Sequence, residues 1–465
     1  MRPWGCIRNL GAAQVPEPGM LGLLSFGGIM LVRRGRQAYA DELSTRAFSM
    51  EEFMSRNSAV AAFWLFLSLV ASSLLRAADT AGIPDEFTDP ETGLRVVHVS
   101  RVPNDRSGVI YFTQNSVTSD SRRVLFHVQF VEKWRHLYTF DLQTHEVVPI
   151  VTDRLTANQD FFAKSNNVYY LADHAVWSTN IDTRLTRKLA DLPLDWSTGA
   201  GLSCNADETL VVGATELGSP DPAPSTAPAA GGSNAAPETA RLKSMGSTFD
   251  AHRPNLLYTI NIQTGELRVI HRVNTWLGHV QFSPTDPKLI MFCHEGPWEK
   301  VDRIWTVQSD GSQPAIFFHR TEPNEIAGHE FWAADGKTIW FQHTFRDRHL
   351  SFLSGKNVLD GEMKEYSIPP EASAIHQAIS PDGKFFIGDG TAAKGGNNST
   401  KYLTLQVPAG DTLKVTKLCS LQKNDYTQCE PNPHTTPDNH WVIFTATLFG
   451  TPQAYAVELP RSLWR

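Results

Sequence analysis

The chain has 465 residues, 41% of them hydrophobic, and a formal net charge of −7, so it is long enough to bury a large core. The acidic balance excludes the basic surface of a nucleic-acid-binding protein. Five cysteines are too few for a disulfide framework; Cys419 and Cys429 either pair or remain two buried thiols.

Residues 1–53 fit no targeting role and read as a spurious or disordered extension, although Met20 to Val32 is apolar enough to leave a second membrane segment open. Met54 then opens "MSRNSAVAAFWLFLSLVASSLLRAADTAG", with Arg56 in a short basic region, an apolar run from Ala59 to Leu75, and small residues at Ala77 and Ala78. That layout makes 54–78 a secretory signal peptide, and Met54 the expected initiator. The apolar run is about 17 residues against the 20 or so of a membrane span. An uncleaved anchor is the alternative, and it would be the chain's one contact with a membrane. The remainder, 79–465, is expected to be periplasmic or secreted.

Beyond residue 100 helical periodicity is absent, and one phrase recurs: an apolar strand, a turn carrying Asp, Asn or Gly, and a second apolar strand. It appears as "VTSDSRRVLFHV" (117–128), "FAKSNNVYYLA" (162–172), "LSCNADETLVVGA" (202–214), "FSPTDPKLIMFC" (282–293), "WAADGKTIWFQ" (332–342), "ISPDGKFFIGD" (379–389) and "TTPDNHWVIFTA" (435–446). Further strand pairs follow, as in "LYTFDLQTHEVVPI" (137–150) and "LYTINIQTGELRVI" (257–270). Four short strands per repeat of about 40 to 50 residues is the pattern of a propeller blade. The expected fold is therefore all-β, a seven-bladed β-propeller over 79–465. An early strand near 94–112 is expected to pair with "QAYAVEL" and close the ring. Residues 216–242, rich in Pro, Ala, Gly and Ser, read as a disordered insertion, either an idle loop or a flap over the channel mouth.

The later repeats share a further feature. His329 and His376 each lie six residues before the turn Asp, as does Asn432, and His279 lies seven before it in a turn with one extra residue. In a propeller these positions begin the innermost strands and converge on the central channel. A single histidine there is usually structural; three and an asparagine in adjacent repeats point to a site. His434 lies two residues beyond Asn432, on the same side of the strand, and Gln428 just upstream. His376, Gln428, Asn432 and His434 form a nitrogen and oxygen donor set suited to Mn²⁺ or a similar divalent ion, and without thiolates it is not a structural zinc site. In "CHEGPWEKVDRIW" (293–305), Arg303 is a candidate carboxylate clamp, or else a surface partner of Asp302. His279, His294, Glu295 and Trp298 are candidate substrate contacts; Trp298 and Trp332 either stack on a sugar or pack in the core.

The phrases "GHVQFSP", "FCHEGPWEKVDRIW", "GHEFWAADG", "HQAISPDGKFFIGDG" and "QCEPNPHTTPD" resemble the oligogalacturonate lyase family, over residues from about 95 to 460. "CHEGP" together with "HEFW" is specific, whereas the "SPDG" turns occur in many propellers. The resemblance implies β-elimination of oligogalacturonate with a divalent metal, usually Mn²⁺. It makes His329 the general base and Arg303 the group that neutralises the substrate carboxylate, and it maps the metal ligands to His376, Gln428, Asn432 and His434. The chain departs from the family at Asn432, where His-Pro-His is usual, and in the position of Gln428, one residue further upstream. The alternative reading is a non-catalytic periplasmic propeller that binds a ligand or partner protein at its axial face. A peptidase propeller is a weak third, for no hydrolase domain and no Gly-x-Ser-x-Gly elbow follow. No obligate protein partner is evident.

Overall fold

A computed structural model describes residues 82–103, 106–131, 134–157, 161–197, 201–218, 245–391 and 401–465. The extension 1–53, the signal segment 54–78 and all but the first three residues of the 216–242 insertion lie outside the described residues.

The described chain is an all-β array of small sheets. Four antiparallel sheets of four strands succeed one another, opening with Ser107–Val109, Phe161–Phe162, Leu202–Cys204 and Leu277–Phe282. An eight-stranded sheet follows. It consists of two antiparallel groups, Glu325–Trp332 to Met363–Ser367 and Gln377–Ile379 to Thr412–Ser420, joined by one parallel pair, Ser367 with Thr412. The last sheet unites the two ends of the described chain: Arg95–His98 pairs with Gln453–Glu458, Val96 opposite Val457, beside Trp441–Ala446 and His434–Thr435. The expected ring-closing pair is thus present.

Most of the repeated phrases fold as hairpins whose polar residue satisfies the turn's own N–H groups. Asp335 Oδ1 accepts from the amides of Lys337 and Thr338, at 2.8 and 3.0 Å. Ser380 Oγ accepts from Lys384 and Phe385, and Thr436 Oγ1 from His440 and Trp441. The two "LYT" phrases do the same at their outer turns through Asp141 and Asn261.

Burial grades across each sheet. Inner strands are covered on both faces, as in Asn167–Ala172, where every residue after the first is buried; outer strands such as Leu267–Val273 are half exposed. That is why the inner strands read as continuous apolar runs rather than alternating ones. Cys419 and Cys429 are buried, free thiols.

Candidate active site

The histidine register acquires its shape from two β-bulges. Pairing slips between Gly278 and Gln281 in one inner hairpin and between Gly328 and Phe331 in another. His279 and His329 sit in those slips with φ of 49° and 52°, and Asn432 has φ of 49°. A non-glycine residue held there costs on the order of 1 kcal/mol, and the bulge turns its side chain out of the strand's alternation. His376 joins the group without that conformation.

The imidazoles come together. The rings of His329 and His376 lie 4.9 Å apart, and Tyr111 stands 5.4 Å from both His279 and His376. Phe112 packs 4.6 Å from His376, and Trp298 meets His329 edge-on at 5.1 Å.

His329 is held by one hydrogen bond: Nδ1 donates to Gln342 Oε1 at 3.0 Å. The Gln342 amide has no choice of orientation, because its nitrogen faces the carbonyls of Ala374 and Ile375, which only accept. Burial, then the neighbouring His376, push the pKa of His329 down to about 3. The residue is therefore a neutral imidazole whose Nε2 carries the lone pair.

His376 is held differently. Its Nδ1 is hydrogen-bonded to Asp389 Oδ2 at 2.9 Å, and Asp389 Oδ1 accepts from the amides of Ile375 and His376. Burial pushes Asp389 up to about 8, against the pull of those N–H groups. His376 Nε2 faces Glu430 Oε2 at 3.8 Å, a separation that two ligands of one ion can have. His434 Nε2 donates to the carbonyl of Ile110 at 3.0 Å. Metal-binding histidines almost always have their second nitrogen tied to a carboxylate or a carbonyl in this way. His376 and His434 are thus each held in the way metal-binding histidines are held, and Glu430, beside His376, is an oxygen donor overlooked in the sequence. Asn432 Oδ1 faces the amide of Phe112 at 3.4 Å. Gln428 is turned aside: its Nε2 donates to Asp425, and Arg106 approaches its oxygen at 3.5 Å.

Arg303 is not on the surface beside Asp302. Its side chain is 1% exposed and lies between two carboxylates, with Nε on Glu330 at 2.9 Å and both terminal nitrogens on Glu295 at 2.6 and 2.9 Å. Trp298 lies against its cationic face. Glu295 also pairs with His279 Nε2 at 3.0 Å. A direct clamp on a substrate carboxylate would first have to free this guanidinium; where it stands, its charge reaches the site through space. His279, Cys293 and Glu295 also offer ligand atoms within 4.8 Å of one another, but the guanidinium already neutralises that carboxylate.

His294 does not reach the cluster: it stacks on Trp305 at 4.5 Å. A cavity of about 400 Å³ begins one or two residues beyond the register positions, where Phe112, Val280, Phe331 and Ala378 line it. His434 also lines it, as does Phe112, which packs on His376.

Gln342 and Asp389 escaped notice in the sequence, yet a signal was available. Each lies thirteen residues after its histidine, directly across the inner hairpin. Tyr111 had no local signal, since it arrives from a different sheet.

The family model described as oligogalacturonate lyase matches residues 84–463. An oligogalacturonide lyase of Pectobacterium atrosepticum is 25% identical over 394 residues, which is 81% of this chain and 96% of that protein. An oligogalacturonate lyase of Dickeya dadantii is 25% identical over 395 residues, 82% and 97% of the two chains. Among solved structures, an oligogalacturonate lyase from Vibrio parahaemolyticus superposes with a TM-score of 0.69 at 24% identity, covering 82% of this chain and 97% of that one. An oligogalacturonate lyase in complex with manganese gives 0.69 at 23%, covering 82% and 98%.

Proposed function

This chain belongs to the oligogalacturonate lyase family, and from that premise we propose that it cleaves short galacturonate oligomers by β-elimination on a seven-bladed β-propeller. Four separate sheets, the two groups of the eight-stranded sheet and the end-joining sheet give seven units, which supports the blade count. The observation that carries the catalytic reading is His329, a neutral base with a free Nε2, 4.9 Å from a histidine held as a metal ligand is held. The family match favours this reading over a non-catalytic binding propeller.

The proton on C5 of a uronate is weakly acidic while the adjacent carboxylate keeps its full charge, so the charge that develops there needs stabilisation. His376 and His434, with oxygen from Asn432 or Glu430, would hold a divalent metal, which would supply a Lewis acid for that carboxylate; Gln428, turned toward Asp425, would have to swing round to join them, and the manganese complex of the structural neighbour supports Mn²⁺. His329 Nε2 takes the C5 proton. The electrons of the C5–H bond form the C4=C5 double bond, the C4–O4 bond breaks, and O4 leaves with its electron pair and gains a proton from solvent. Arg303 balances Glu295 and Glu330, so that Glu295 can hold His279 beside Tyr111. Of the proposed substrate contacts, Trp298 flanks His329, Glu295 supports His279 beside Tyr111, and His294 stacks on Trp305 instead. The signal layout at 54–78 supports a periplasmic or secreted enzyme.

The test is to mix the protein with digalacturonate across a panel of divalent metals and follow the ultraviolet absorbance of the unsaturated product. Product is expected with Mn²⁺. Its absence with every metal would end the reading.

A further inference from the structure

Behind Gln342 the hydrogen bonding continues. Gln342 Nε2 also faces Gln377 Oε1 at 3.2 Å, Gln377 Nε2 donates to Gln406 Oε1 at 2.7 Å, and Gln406 Nε2 donates to the carbonyl of Ala372 at 2.9 Å. Gln377 and Gln406 are fully buried. All links point the same way. Each amide oxygen accepts from the histidine side and each amide nitrogen donates away from it, until a backbone carbonyl, which can only accept, ends the row. Such a row polarises cooperatively, and it cannot be reversed at one member without stranding buried polar groups at the others. Room for it is made by Gly388, where any side chain would begin 2.3 Å from Gln406 Nε2.

We propose that Gln342, fixed by the Gln377–Gln406 row, is a positioning residue that locks His329 as the Nδ1–H tautomer and so delivers a bare Nε2 to the C5 proton. The row uses glutamines and not a carboxylate, so it sets which nitrogen is protonated without adding a negative charge beside the base. The consequence for catalysis rests on the lyase reading; the tautomer itself does not.

The experiment is nitrogen-detected imidazole NMR on metal-free protein labelled in its histidines, with the His329 signals assigned by their loss in His329→Ala. In the unsubstituted protein Nδ1 should be protonated and Nε2 bare. Gln342→Leu should mix or reverse the tautomers and lower kcat roughly 10- to 100-fold with little change in KM. Gln377→Leu, one step further from the ring, should shift both in the same direction by less. Should Gln342→Leu fail to fold, the unsubstituted protein still decides: a His329 protonated at Nε2 overturns the proposal. A Gln342→Leu protein that raises KM while keeping kcat overturns it as well. A bare Nε2 with no product from digalacturonate would leave the row standing and remove the lyase reading; product formation with a protonated Nε2 would do the reverse.

Discussion

Two neighbouring hairpins, Glu325–Phe345 and the one running from His376 to Asp389, are built to one plan and finished differently. In each, a histidine, His329 within the inner strand and His376 just before it, is hydrogen-bonded through Nδ1 to the residue thirteen positions on. In the first that residue is a neutral amide, in the second a carboxyl. The first hairpin carries a bulge and a left-handed histidine; the second carries neither. Under the proposed function, the pair teaches that one scaffold position would serve as a base or as a metal ligand according to what stands behind the imidazole. An amide orients the ring and leaves it weakly basic, whereas a carboxyl makes it a better donor to an ion.

The contrast is broken most severely at the rings themselves. His329→Ala should lower the elimination rate by about 10²- to 10⁴-fold with manganese binding intact, while His376→Ala should lose manganese in a calorimetric titration. Because burial holds the pKa of His329 near 3, the base is ready at every pH above that value, so the kcat/KM profile should show no acid limb near 6.5. Next comes the ion group that the first hairpin shares through Glu330. Arg303→Leu strips buried Glu330 of its guanidinium and leaves Glu295 with His279, and should lower unfolding stability by about 3–5 kcal/mol in urea titrations. Asp389→Asn should weaken manganese binding roughly 10- to 100-fold, with the His329 tautomer unchanged. The smallest effect sharpens the comparison of backbones. His329→Gly should be more stable than His329→Ala by about 1 kcal/mol, since glycine accepts the positive φ. At His376, where φ is not positive, alanine should be the more stable of the two. Thermal melts of the four variants measure both differences.

Much of this was legible in the sequence because hairpins and turns are local. The polar turn residues announce themselves within a few positions, and the histidine register follows by counting back from Asp335 and Asp382. What sits behind each imidazole was also within reach by counting forward, to Gln342 and Asp389. Other features depend on segments distant in sequence. Tyr111 reaches His279 and His376 from the first sheet, and Ile110 orients His434 through a backbone carbonyl that no residue type reveals. Arg303 reads as a clamp because a guanidinium beside "HEGP" suggests an acidic ligand. In the fold its acidic partners are the chain's own Glu295 and Glu330.

The sheet that unites the ends of the described chain sets an order of assembly. His434 sits in a strand whose sheet requires Arg95–His98, and its ring is aimed by Ile110, more than three hundred positions earlier. A nascent polypeptide that has released only its first six sheet groups has His329 and Gln342 in hand, yet of the proposed ion cradle it has only His376. Long-range pairing of this kind forms slowly. Catalytic competence should therefore emerge last during refolding, after most strand signal has already recovered.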